Sequence, residues 1–146
     1  MPTLTLSLTR PEMLVQIRAG DHVRAFRGLY WHHAIAVNGD WLIEFGSGVW
    51  GGVARYVHRA EFSRGSAIEI VGHPARFNPQ ETIQRAISQI GRNDFDILAR
   101  NCEHFANWCA TGKWESWQIQ GVTLLATVAG LIVLSGTGAK LKAIAA

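Results

Sequence analysis

The sequence is short of charge and of cysteine. Only 17% of its 146 residues are Asp, Glu, Lys or Arg, against 48% apolar. So low a share of charge points to a segment that does not face water. The formal net charge of +3 is weak and dispersed, with no basic stripe interleaved with aromatics. That argues against nucleic acid as a partner and leaves a mild attraction to an anionic membrane surface. The two cysteines, Cys102 and Cys109, would lie roughly 10 Å apart on one helix, farther than a disulfide spans. They give no sign of an oxidising compartment, and two thiols alone do not make a structural zinc site. The opening Met1-Pro2-Thr3-Leu4-Thr5 lacks the basic and apolar regions of a signal peptide. There is no internal repeat and no low-complexity linker. The length suits one domain with one core.

What the chain has instead is tryptophan and an uncharged tail. Six tryptophans favour boundaries between apolar and polar surroundings. From Ser116 to Ala139 no residue is charged, and Val122 to Leu134 is strongly apolar. That is about the length needed to cross a hydrocarbon core. The only compositional boundary lies at Trp117 to Gln120. It divides a globular part, 13–118, from a C-terminal hydrophobic segment, 119–146, expected to be a helix and a membrane anchor. A core helix or an oligomer contact is its other reading. An anchor without a signal peptide would leave the globular part membrane-associated on the cytoplasmic side.

Within 13–118, short strands precede helices. Met13 to Ile17 reads as a short strand or extended lead-in. Strands follow at His22 to Phe26, Tyr30 to Val37, Trp41 to Phe45, Val53 to His58 and Ala67 to Val71. Arg59 to Gly65 is a polar connection, and Gly46 to Gly52 a glycine-rich loop around Trp50. Asn78-Pro79-Gln80-Glu81 opens a helix as N-cap, first residue and capping-box partner, with Ile83, Ala86, Ile87 and Ile90 as the buried stripe and Gly91 as the stop. Phe95 to Ala99 is ambiguous. Asn101 caps a second helix, with Phe105, Trp108 and Cys109 on one face and Thr111-Gly112 at its end. Segregated strands and helices mean an α+β fold, a small antiparallel sheet packed on helices.

Arg100-Asn101-Cys102-Glu103-His104-Phe105-Ala106 is where chemistry would sit. Cys102 lies at a helix start, where unpaired backbone N–H groups and the helix dipole stabilise a thiolate or an oxyanion. A buried inert thiol is the alternative. Glu103 is an ordinary first-turn residue. A nucleophilic cysteine needs a histidine in reach, and six are available. His104 is two residues on and roughly 200° round the helix, so it faces away and is structural. His58 and His73 read as surface residues, and His22 could face either way. His32 and His33 share the clearest strand and point to opposite faces. Glu44, a carboxylate in an apolar strand, needs a partner. A two-residue Asn38-Gly39 loop puts Glu44 opposite His33. A three-residue loop through Asp40 puts it opposite Ala34, on the face of His32. Asn-Gly locally favours the shorter loop, and both registers stand open.

Asn101-Cys102-Glu103-His104-Phe105 resembles the signature of the lecithin retinol acyltransferase family, which includes the H-Ras-like suppressor phospholipase/acyltransferases. Gly20-Asp21-His22-Val23 and Tyr30-Trp31-His32-His33-Ala34-Ile35-Ala36-Val37 are similar to its opening strands and Glu61-Phe62-Ser63-Arg64-Gly65 to its middle connection, and the resemblance runs from about Ala19 to Leu134. It implies a permuted papain-like fold in which Cys102 is the nucleophile, His32 the general base and Glu44 the orienting residue, which favours the three-residue loop. Tyr30, Asn101, His33 and His104 would be supporting residues. It implies a thiol-dependent phospholipid acyl hydrolase or acyltransferase working through an acyl-thioester, without cofactor or metal, on an acyl-lipid at a membrane surface. Glu44 stands where the family usually has a histidine, and His33 where a bulky aromatic is common. A papain-like amidase or peptidase, or a membrane-tethered interaction module with a decayed site, are the competing readings.

Overall fold

The computed structural model describes residues 15–46, 52–93 and 101–144, with the side chains of the last helix described to residue 131. The Trp50 loop and the Phe95 to Ala99 stretch fall mostly or wholly outside the described residues, as do Met13 and Leu14. Val15 to Ile17 belongs to no strand.

Among the described residues five strands make one antiparallel sheet: β1 (His22–Phe26), β2 (Trp31–Ala36), β3 (Trp41–Phe45), β4 (Ala54–His58) and β5 (Ile68–Ile70). Their order is β4-β3-β2-β1-β5, so β2, with its two histidines, is the central strand. The α+β class with a small antiparallel sheet is as expected. Among the described residues four helices accompany it: α1 (Arg59–Ser63), α2 (Pro79–Ile87), α3 (Cys102–Thr111) and α4 (Trp117–Ile144).

The register of the β2–β3 hairpin settles the open question of its loop. Ala34 pairs with Glu44, Ile35 with Ile43 and Ala36 with Leu42. The loop is therefore Asn38-Gly39-Asp40. Instead of forming the two-residue turn its sequence suggests, Asn38 accepts the backbone N–H groups of Asp40 and Trp41 through Oδ1, at 2.9 and 2.8 Å. An asparagine side chain closing a turn onto the chain two and three residues ahead is a local alternative to the tight hairpin.

Alternation along the strands builds two cores. Ala34, Ala36, Leu42, Val57, Val23, Ala25 and Ile68 form one face with Ile17 and with Phe62 of α1. Ile35, Ile43, Phe45 and Ala54 form the other, covered by Ala86 of α2 and by Phe105, Ala106 and Cys109 of α3. α1 replaces what the sequence suggested was a polar connection. His58 caps it, Nδ1 accepting Ala60 N–H at 3.2 Å, and buried Phe62 gives so short a helix its reason to form.

α2 opens on Asn78 as expected, Oδ1 accepting Glu81 N–H. Its buried side is narrower than the periodicity suggests. Thr82 and Ala86 are buried, whereas Ile87 and Ile90 are exposed, because the helix ends at Ile87 and the chain turns before Gly91. Gly20, at φ +81°, could carry no side chain: a Cβ there would lie 2.5 Å from the Cα of Pro79. That close approach seats the start of α2 on the turn leading into β1.

α4 is helical where the hydrophobic segment was expected to be. Val122, Leu124, Leu125 and Leu131 are all more than half exposed. The expectation of a bilayer-spanning helix is not supported: among the described residues no helix is long and apolar enough to cross a membrane. Gln118, Gln120, Thr123 and Thr127 dilute the apolar run, and both threonines return their hydroxyls to carbonyls one turn back.

Candidate active site

α3 begins as the sequence suggests. Asn101 Oδ1 accepts the N–H groups of Glu103 and His104, both at 3.0 Å, and His104 Nδ1 faces Asn101 N–H at 3.5 Å. This reciprocal cap is the work of His104, which also stacks on Trp114. It is structural, as its angular position requires. Gly112, at φ 81°, ends the helix.

The cap presents Cys102 at the first turn of α3, buried, with Sγ 3.9 Å from the carbonyl oxygen of Trp31. Cys102 and Cys109 are both free thiols. Burial pushes the Cys109 thiol well above its ordinary range.

Cys102, His32 and Glu44 come together. His32 Nε2 lies 2.8 Å from Glu44 Oε2, with both side chains almost fully buried. Burial alone would depress the imidazole, but hydrogen bonds with Cys102 and Glu44 overcome this and push His32 up to about 9. Glu44 is held below its ordinary value although burial opposes this, because His32 and Arg55 both bond to it. The carboxylate only accepts, so Nε2 of His32 carries hydrogen and Nδ1 is the basic nitrogen. Arg55 reaches Glu44 Oε1 at 2.7 Å from β4 and also pairs with exposed Glu61. Arg27 adds a positive charge that interacts with Glu44 and Cys102. Its own guanidinium is held by the carbonyls of Phe62 and Ser63.

The raised His32 makes stability depend on pH in a definite direction. A group bound more tightly in its charged form stabilises fully below its unfolded pKa and loses that contribution as pH rises through its folded one. Here the loss runs from about 6.5 to about 9. Thermal melts across that window should show a falling Tm, and Glu44→Gln should flatten the fall. Equal slopes in the two proteins would separate the fall from this pair.

His33 points to the other face, as strand alternation demands. Its Nδ1 is 2.7 Å from His22 Nε2, and His22 Nδ1 is 2.8 Å from His73 Nε2. Burial lowers His22 well below its ordinary value and takes His33 down to about 4, against the pull of Glu103. Burial lowers His73 also, with Arg76 adding to it. His73 is therefore the half-buried outer end of a row of rings and not the free surface histidine its position at a strand end suggested. Tyr30 sits half exposed in the β1–β2 turn, its carbonyl accepting Arg27 N–H.

Glu103 is more than a first-turn residue. Its buried carboxylate accepts Ser116 Oγ at 2.5 Å, Gln118 N–H at 3.1 Å and Gln118 Nε2 at 3.2 Å. These bonds hold it below its ordinary value in spite of burial. Arg55, Ser116, Gln118 and the His22–His73 contact were not found by sequence reasoning. Arg55 depends on a β3–β4 register that a glycine-rich loop leaves open. Gln118 carries no local pattern beyond being polar at the head of an apolar tail. Among the described residues no group of His, Cys, Asp and Glu is arranged to hold a metal ion.

Residues 15–115 match the family model described as lecithin retinol acyltransferase. Among characterised proteins, the chain is 25% identical over 134 residues to Phospholipase A and acyltransferase 3 of Homo sapiens, covering 78% of this chain and 83% of that one. The protein of the same name from Pongo abelii matches at the same identity and coverage.

Proposed function

Because the chain belongs to the lecithin retinol acyltransferase family, we propose that it is a thiol-dependent phospholipid acyl hydrolase or acyltransferase with Cys102 as nucleophile. The observation that carries this reading is the joining of His32 to both the Cys102 thiol and the Glu44 carboxylate. His32 Nδ1 takes the thiol proton, and Sγ attacks the ester carbonyl of the lipid. The backbone N–H of Cys102, which the Asn101 cap does not take, faces the developing oxyanion, with the Tyr30 turn beside Trp31, whose carbonyl the thiol faces. The imidazolium, held by Glu44, returns the proton to the departing alcohol oxygen as the C–O bond breaks. Lyso-lipid leaves and the acyl group stays as a thioester on Cys102. Water, or an amine or alcohol acceptor, then attacks the thioester with His32 again taking the proton, and the thiol is regenerated.

His32 and Glu44 precede Cys102 in the sequence. Base before nucleophile is the order of a permuted papain-like arrangement, and it supports that reading of the fold. The names of the two relatives support phospholipid as the substrate class. The exposed Val122, Leu124, Leu125 and Leu131 of α4 support contact with a membrane surface.

Intact-mass analysis after mixing with an acyl-labelled phospholipid tests the proposal. The wild type should gain one acyl group, mapped to Cys102 and released by hydroxylamine, and Cys102→Ala should gain none. Equal labelling of the two proteins would sink the scheme.

A further inference from the structure

In the register Ala34 with Glu44, β3 ends at Phe45, opposite His33. Val37 N–H bonds to Trp41 O across the same hairpin, so alternate residues of β2, Trp31 among them, turn their N–H and C=O toward β3. At Trp31 the partner strand has already ended. A side chain from elsewhere takes its place. Gln118 Oε1 accepts Trp31 N–H at 2.8 Å, and Gln118 Nε2 donates to Trp31 O at 3.1 Å. A carboxamide has the donor and acceptor of a peptide group, and here it extends the sheet by one residue's worth of pairing. The same Nε2 donates to Glu103 Oε2 at 3.2 Å and lies 3.4 Å from His33 Nε2.

These partners flank the proposed chemistry. Trp31 precedes His32, and its carbonyl is the one the Cys102 thiol faces. Glu103 follows Cys102. One side chain thus ties the strand that carries the base to the helix that carries the nucleophile. We propose that Gln118 is a positioning residue for the reaction, its carboxamide fixing Trp31 and Glu103 together so that Cys102 is held against His32. The role of the pair in catalysis rests on the function proposed above; the holding of the thiol does not.

Gln118→Glu and Gln118→Met separate this from a general loss of stability. The carboxylate of Gln118→Glu still accepts Trp31 N–H, but it meets the Trp31 carbonyl and the Glu103 carboxylate without a hydrogen to offer. Protonating it restores one donor. The charged and titratable groups facing this position are Glu103 on α3 and His33 on β2, with His22 and His73 behind. All are present in the wild type measured in parallel, so the ratio to wild type isolates the introduced carboxyl.

The readout is the rate of iodoacetamide alkylation at Cys102, located by peptide mass spectrometry, together with acyl-lipid turnover. Near about pH 8 both variants should be slowed about tenfold, the cost of losing hydrogen bonds to buried groups. On acidification toward about pH 5, Gln118→Glu should recover toward the wild-type rate as its carboxyl protonates, and Gln118→Met should not. Wild-type rates in both variants would overturn the proposal. So would parallel profiles of the two variants, or unfolding of Gln118→Glu at the higher pH in circular dichroism, which would assign the residue to stability alone. If Gln118→Met does not fold, the recovery of Gln118→Glu decides. Should Cys102→Ala retain lipid turnover, the proposed function fails, while the alkylation result still reports on the positioning of Cys102.

Discussion

His32→Ala is expected to lower acyl-lipid turnover by about 10³-fold, within the range usual for removing a general base. The adjacent His33→Ala should lower it by less than about tenfold, because strand alternation sends that ring to the opposite face. The comparison is informative because the two residues are neighbours in sequence, both buried, and both hydrogen-bonded to another ionisable side chain. They differ in where the bond leads: His32 to Glu44 and Cys102, His33 to His22. Steady-state kinetics of the two purified variants, with circular dichroism to confirm that both fold, gives the ratio. The reverse order of losses would place the reacting face on the other side of β2.

Glu44→Gln should cost about 10²- to 10⁴-fold in turnover with little change in shape. A carboxylate can only accept, so it fixes hydrogen on His32 Nε2 and leaves Nδ1 as base. A carboxamide can present its NH₂ instead and stabilise the wrong tautomer, the effect known from the corresponding Asp-to-Asn change in serine proteases. Glu44→His, the residue more usual in the family, is the complementary test. An imidazole can orient His32, but Arg55 would then face a ring where it now reaches Oε1 at 2.7 Å. Partial activity is therefore expected, below wild type and above Glu44→Gln. Further substitution of Arg55 by Leu in the Glu44→His protein should raise it. Were Glu44→Gln fully active, the orienting role would pass to another residue.

The sequence made the pieces of this site legible far better than their assembly. Cys102 was readable from the Asn101 cap, and the opposed faces of His32 and His33 from strand periodicity. The hairpin register was not readable by local physics. Trp41-Leu42-Ile43-Glu44-Phe45 is apolar at every position but one, so sliding it by one residue exchanges Leu42 for Ile43 in the core at little cost. Hydrophobic pattern cannot choose between such registers. Turn chemistry pointed the wrong way, because Asn38 uses its side chain to close a longer loop. The resemblance to a family supplied the register that local rules could not. α1 escaped notice because five residues show almost no periodicity. Arg55, Gln118 and His73 escaped because each acquires its partner only through long-range pairing: β3 with β4, α4 with β2, and the chain after β5 with β1.

The three rings His73, His22 and His33 have a consequence of their own. Each contact between two of them holds a single hydrogen, so a neutral row has only two arrangements, running in opposite senses. Gln118 distinguishes them. Its NH₂ group, whose two hydrogens go to the Trp31 carbonyl and the Glu103 carboxylate, has no lone pair to accept a hydrogen from His33 Nε2, which favours the sense in which His33 carries its hydrogen on Nδ1 and gives it to His22. His22 in turn gives its own Nδ1 hydrogen to His73. All three rings thereby share one tautomer, set from Gln118, which lies 85 residues from His33 in the chain. The row has a polarity, pointing away from β2, and reversing it would require every ring in it to change at once.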